Sequence, residues 1–266
     1  MRSSRFVFLL VLLTFAKSAL AQQVTAPSPQ ATALLQQALI ALGGGHPLTD
    51  VTLSGTARRI AGSDDESGTA VLKALAAGAS RMDLTLPGGN RSEVLNTSST
   101  EPAGAWSGPD GVSHAIAFHN LLTGPAWFFP AFPISSGLSA GYLATYIGHE
   151  TRNGQPVEHL MVSQAPTTSA PPGALSFQHL SQVDFFLDSS TFLPAAITFN
   201  VHPDNNALLN IPVEIGFSNY TVVNGVQVPF HIQKLINNSL TLDLQFNSAV
   251  LNSGLSASTF TVGAGL

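Results

Sequence analysis

Val183-Asp184-Phe185-Phe186-Leu187-Asp188 and Leu240-Thr241-Leu242-Asp243-Leu244-Gln245-Phe246-Asn247 decide the fold class. In the first, Val183, Phe185 and Leu187 alternate with Asp184, Phe186 and Asp188. In the second, four apolar side chains alternate with Thr241, Asp243, Gln245 and Asn247. A period of two gives one apolar and one wet face, the pattern of a half-buried antiparallel strand. The pattern runs from Val183 to Val262 with almost no helical interruption, so a curved sheet is expected whose inner face covers something apolar.

Earlier parts of the chain extend the pattern. Asn153-Gly154 and Asn224-Gly225 are flanked by alternating residues, the strongest short-range signal for a tight hairpin turn. Asp50 to Ile60 reads as a strand with Val51, Leu53 and Ala57 on one face. Gly62 to Gly68 follows as an acidic exposed turn, and Met82, Leu84 and Leu86 mark another strand ending at Pro87-Gly88-Gly89. Pro109-Asp110-Gly111 is expected to turn between two short strands. Asn96 to Gly104 and Thr167 to Gly173 read as polar or Pro-rich loops, and Ser135 to Gly141 as a flexible connection. One helix is signalled: Ser28 as N-cap, Pro29 at the first helical position, the stripe Leu35, Ala38, Leu39, Leu42, and a stop at Gly43 to Gly45.

Phe118 to Phe132 breaks the strand pattern. It concentrates Trp127, Phe128, Phe129 and Phe132, while Pro125, Pro130 and Pro133 exclude a central strand, so a short helix or irregular aromatic plug is expected. With Trp106 and Phe118, these residues either fill a core or line and gate a cavity for an apolar ligand.

Composition narrows the setting. Arg2 and Arg5, the apolar run Phe6 to Ala16 and Ala19-Leu20-Ala21 form an export signal over residues 1–21, too short to span a bilayer. One domain is expected over residues 22–266, in the periplasm or secreted, with no transmembrane segment after cleavage, acting as a monomer. Removing residues 1–21 takes away three cations and no acid, so the formal charge moves from −5 to −8. That balance argues against nucleic acid as a partner and against docking on an anionic membrane by charge. Only 9% of residues are charged, against about 25% in an average soluble domain, so the surface is built largely from Ser, Thr, Asn and Gln. The absence of cysteine excludes disulfides, thiolate metal sites, a cysteine nucleophile and a lipid-modified cysteine.

Candidate chemistry is thin. Gly137-Leu138-Ser139-Ala140-Gly141 matches the G-x-S-x-G pattern, but Phe132-Pro133-Ile134-Ser135-Ser136 cannot be the buried strand that a nucleophile elbow needs. Counting outward from Asn153-Gly154 opposes His149 to Glu158 and sets His159 diagonal to Glu150. Each face then offers two ligands where a tight metal site needs three or four. His202, before Pro203-Asp204, is expected at a loop mouth, and His231 on a polar strand face with Gln227 and Gln233. No catalytic residue, metal or cofactor is assigned.

The succession of features resembles the bacterial periplasmic lipoprotein-carrier (LolA-like) superfamily. It comprises the capped helix, Leu53-Ser54-Gly55, Ser80-Arg81-Met82-Asp83-Leu84, Trp106 and Asp110-Gly111. Phe186-Leu187-Asp188 with Leu193-Pro194, Asn219-Tyr220, Val223-Asn224-Gly225, Val228-Pro229 and Asn252-Ser253-Gly254-Leu255 before Phe260 complete it. The resemblance implies a mainly β (α+β) fold, an unclosed antiparallel half-barrel wrapped over helices around a cavity for acyl chains. Arg81 stands where that family often carries an arginine contacting its lid, which makes Trp127 to Phe132 the lid or plug. The hydrophobic-ligand or lid candidates are therefore Arg81, Trp106, Phe118, Trp127, Phe128, Phe129 and Phe132. The expected function is non-enzymatic binding or carriage of a lipid, acyl chain or lipidated protein partner. The alternative is a structural or adhesion-type β module with a filled core.

Overall fold

A computed structural model describes residues 26–43, 45–97, 102–123, 127–165 and 174–262. The export-type start lies outside the described residues, as do the loop 167–173 and residues 98–101. The described part is dominated by one antiparallel sheet. Its strands are β1 (Asp50–Ala61), β2 (Asp64–Leu75), β3 (Ala79–Leu86), β4 (Gly89–Asn96), β5 (Ala103–Ser107) and β6 (Ser113–Ala115). A second set follows: β7 (Tyr142–Arg152), β8 (Gln155–Gln164), β9 (Val183–Asp188), β10 (Pro194–Val201), β11 (Ile211–Val223), β12 (Val226–Ile236) and β13 (Ser239–Leu251). The helices are α1 (Pro29–Ala41), α2 (Ala131–Gly137) and α3 (Ala174–Leu180), with 3-10 turns at Phe118–Leu121 and Ala257–Phe260.

The order across the sheet is β6-β5-β4-β3-β2-β1-β13-β12-β11-β10-β9-β8-β7. Each neighbour is thus next in sequence except at β1 and β13, which join two meanders into one sheet. The edges are β6 and β7, so the sheet is not closed. Consecutive strands demand tight turns. Asn153-Gly154 and Asn224-Gly225 supply them with positive φ at both residues (49° and 80°; 49° and 84°), and Asn237-Asn238 does the same between β12 and β13 (50° and 60°). The expected acidic turn over 62–68 is shorter than predicted. Asp64 to Gly68 form the start of β2 because Arg58 and Arg59 of β1 face Ser67 and Glu66 across the ladder. Ser135 to Gly137, expected in a flexible connection, lie in α2.

One face of the sheet is concave and apolar. Val51, Leu53 and Ala57 of β1 share it with Leu242, Leu244 and Phe246 of β13 and with Ala70, Leu72 and Ala74 of β2, all buried. A bulge between Ser54 and Gly55 helps the sheet bend there, and a Cβ on Gly55 would run into the Gln245 carbonyl. α1 covers this face as its cap and stripe predict. Ser28 Oγ accepts from Ala31 N (3.3 Å), and Ala31, Leu35, Ala38 and Leu42 are buried. The chain between β6 and β7 must pass from one edge to the other, and it does so beneath the concave face, burying Phe128, Phe129, Phe132 and Ile134.

The seam between β1 and β13 ends in a polar clasp. The buried Asp50 carboxylate accepts from Ser253 N and Oγ (2.8 and 2.7 Å), Gly254 N (2.9 Å) and Thr49 Oγ1 (3.1 Å). Burial, the largest influence, raises its pKa. The hydrogen bonds from Ser253, Gly254 and Thr49 outweigh it and hold the group below its ordinary value. A depressed folded-state pKa contributes stability that is present above the unfolded value of about 3.9 and lost as pH falls through the folded one. Asp50→Ala is expected to cost about 2–3 kcal/mol in urea unfolding at pH 7, with the gap to the parent narrowing below pH ~4.

Candidate functional site

The helices and the crossover cover the sheet toward the start of β1 and β12, where Gln227 N donates to Leu42 O (3.0 Å). Among the described residues, the other end is not covered. There, where β1 ends and β12 turns into β13, a cavity of about 650 Å³ opens beneath the sheet. Its apolar wall comes from Met82 and Leu84 of β3, Ile60 of β1, Ile236 of β12, and Leu240 and Leu242 of β13. Trp106 of β5 stands at its side, 46% exposed and stacked on His114 (centroids 4.3 Å apart). A smaller space of about 230 Å³ adjoins it, lined by Trp127, Phe199, Val201 and His202. Glu93, Trp106 and Lys234 line both.

Charges enter this cavity from the strands. Arg59 and Arg91 face it and share Glu66, at 3.8 and 3.0 Å. Glu66 also accepts from Gly88 N (2.6 Å), and its carboxyl is held below its usual range, first by Arg91 and then by Gly88. Arg59 Nη1 and Arg91 Nε are buried with no hydrogen-bond partner among the described residues. Lys234 Nζ stands over the Trp127 ring, 5.0 Å from its centroid. Sequence reasoning did not single out these cations. A signal existed: Lys234 continues the apolar series Val226, Val228, Phe230, Ile232, and Arg59 continues Val51, Leu53, Ala57.

The predicted ligand or lid residues separate into four groups. Trp106 and Trp127 line the cavities. Phe128, Phe129 and Phe132 lie in the core beneath the covered end. Phe118 is half exposed, edge-on to Phe177 (6.2 Å) and away from the large cavity. Arg81 is not brought to the aromatic segment. Its neighbours Met82 and Leu84 face the cavity, so alternation puts Arg81 on the convex side, where Nε and Nη2 bind Asp83 (2.7 and 2.9 Å). The lid contact implied by resemblance is therefore not made, because Arg81 has its own carboxylate on the opposite face.

Ser139 lies exposed after α2 with no strand before it, and its hydroxyl donates to Ser136 O (2.6 Å), so it forms no nucleophile elbow. His149 and Glu158 are opposed as the hairpin count predicts. His149 Nδ1 lies 2.9 Å from Glu158 Oε1 and 3.3 Å from Ser189 Oγ, while Tyr146 donates to Glu158 (2.7 Å). A proton relay needs the hydroxyl and the acid on different ring nitrogens, and here both share one. Ser218, His231 and Asp243 do have relay order, with Ser218 Oγ 3.0 Å from Nδ1 and Asp243 3.1 Å from Nε2. Ser218 is exposed on the convex face and lines neither cavity under the sheet.

His202 corrects an expectation: it is buried rather than at a loop mouth. The crossover docks on it, with Asn120 accepting from His202 N and donating to His202 O (both 2.8 Å). Burial first, and then His119 and His179 nearby, draw its pKa below the ordinary value against a hydrogen bond to Leu209 O that raises it. Among the described residues, no three His, Asp or Glu converge in a way that would hold a metal ion.

No family model matches the sequence, and no curated protein matches it. Among solved structures, the chain is similar to a Vibrio parahaemolyticus domain named for outer membrane lipoprotein sorting, at 13% identity and TM-score 0.54, covering 87% of this chain and 96% of that one. A LolA superfamily protein of Nitrosomonas europaea gives 13% and 0.53, covering 87% and 97%. A DUF1329 family protein of Desulfovibrio piger gives 10% and 0.53, covering 89% and 98%. At such identities the likeness is one of fold: the chain has a LolA-like fold.

The two tryptophans are expected to differ sharply. Trp127→Ala removes a buried ring and is expected to cost about 3–5 kcal/mol in thermal or urea unfolding. Trp106→Ala, at the exposed rim, is expected to cost less than about 1 kcal/mol.

Proposed function

We propose that this protein is an exported carrier that takes an acyl chain, from a lipid or a lipidated protein, into the cavity at the uncovered end of its sheet. The observation that carries this reading is the cavity itself. It is apolar-walled, open to solvent and bounded on its inner side by a packed core, and its volume lies within the ~300–1,000 Å³ range of ligand pockets. The export-type start of the sequence supports an extracytoplasmic setting. Among the described residues, no helix is long and apolar enough to cross a membrane.

The mechanism is sequestration without covalent chemistry. Each methylene moved from water onto the Met82, Leu84 and Leu242 wall contributes roughly 0.8 kcal/mol, so a chain of modest length is retained by area alone. Trp106 gives the mouth a rigid amphipathic edge against which a chain can slide. The packed far end, with Phe128 and Phe129 fully buried, limits how deep the chain reaches.

Delipidated protein is expected to bind a fluorescent fatty acid saturably and to yield bound lipid by mass spectrometry when purified without delipidation. Leu240→Trp, which adds bulk at the half-exposed rim, is expected to weaken uptake about tenfold or more while leaving the unfolding midpoint within a few degrees of the parent. Absence of saturable uptake by the parent would leave only a scaffold.

A further inference from the structure

We propose that the cavity selects an amphiphile with an anionic headgroup, a carboxylate or phosphate on an acyl chain, and that Arg59, Arg91 and Lys234 hold that headgroup. The inference rests on the carrier reading of the same cavity and adds the chemistry of the ligand's polar end.

The first ground is placement. After residue 21 the chain carries only seven Lys and Arg, and three of them line this one cavity. The strand register sets two of them in one row: Lys234 is opposite Leu242, and Leu242 is opposite Arg59 on its other side. With strands ~4.8 Å apart, the two cations flank Leu242 across roughly 10 Å of concave surface. Arg91 joins from β4, where it pairs with the cavity residue Leu84.

The second ground is incomplete satisfaction. A cation on an apolar face is costly unless a carboxylate or water compensates it. Among the described residues, Glu66 is the one carboxylate serving both arginines, and it reaches Arg59 only at 3.8 Å. Arg59 Nη1 and Arg91 Nε remain without a hydrogen-bond acceptor among the described residues. Among the described residues, no carboxylate lies within 4.0 Å of Lys234, whose ammonium rests on the Trp127 face instead. Glu93 is, among the described residues, the one acid lining the cavity and it makes no ion pair, so the described lining carries an excess of positive charge in a chain that is acidic overall. Acyl chain against Leu84 and Leu242 and anionic oxygens among the three cations would satisfy both parts of the surface together.

Cis-parinaric acid, its methyl ester and inorganic phosphate separate the possibilities, titrated by fluorescence on delipidated protein at low salt. The acid is expected to bind about tenfold more tightly than the ester, with that advantage shrinking as salt rises. Lys234→Met is expected to bring the acid within about twofold of the ester, read as the acid-to-ester affinity ratio within the variant itself. Glu93→Gln, which removes an acid from the lining, is expected to tighten the acid severalfold relative to the ester. Equal binding of acid and ester, or no response of the acid to Glu93→Gln, overturns the headgroup assignment and leaves the carrier reading standing. Displacement of the acid by low-millimolar inorganic phosphate also overturns it, in favour of a free-anion site. Failure of both probes to bind overturns it together with the carrier reading.

Discussion

The pairing of β1 with β13 is the constraint on which the rest of the structure depends. Among the described strands, all other ladders join neighbours in sequence, and each could form within its own meander. Joining β1 to β13 fuses the meanders and throws β6 and β7 to opposite edges. The chain between those edges then has to cross the whole sheet. Because the concave face is the apolar one, the crossover runs beneath it and has to be apolar too, which accounts for Trp127, Phe128, Phe129 and Phe132 in a segment unfit for strand. The Asp50 clasp closes the same seam at its end, between residues about 200 positions apart. That separation is paid for in loop-closure entropy, and only a pairing as long as β1–β13 offsets it.

The crossover and α1 cover one end of the sheet, and this asymmetry creates the cavity. A sheet of this breadth twists and curls, so a second layer must match its curvature to fill it. Among the described residues, the second layer in this core is α1 and the crossover with α2, whose Phe128, Phe129, Phe132 and Ile134 join Leu35 and Ala38 of α1. Beyond their reach the concave face continues into the cavity wall formed by Met82, Leu84 and Leu242, of which Leu84 and Leu242 are themselves buried. The space is therefore a consequence of how much chain crosses, and its wall is ordinary strand alternation.

How much of this was legible in the sequence follows the range of the interactions. The capped α1, the Asn-Gly turns and the β9–β13 alternation are local, and they emerged from residue type and spacing. The opposition of His149 and Glu158 followed by counting from a turn. The Asn237-Asn238 turn was missed because asparagine tolerates positive φ less conspicuously than Asn-Gly advertises it. The role of Arg81 was misjudged for want of one parity step, since Met82 and Leu84, its flanking residues, are the ones that face inward. The cation row needed register across β12, β13 and β1, a long-range property that no local pattern carries. Its only local trace was a charged residue standing where an apolar one was due.

Lys234 and Trp127 show how the covered and open ends are linked. Trp127 belongs to the crossover and is part of the core, yet its face forms the platform on which the Lys234 ammonium rests at the boundary of the two spaces. A change in the path of the crossover would move that platform and, with it, both the depth of the cavity and the place of its charge. The strands could stay as they are. On the carrier reading, selectivity then depends on the sheet for its cations and on the stretch of chain beneath it for the platform of Lys234, a stretch that is free of the period-two rule and can be altered without breaking a ladder.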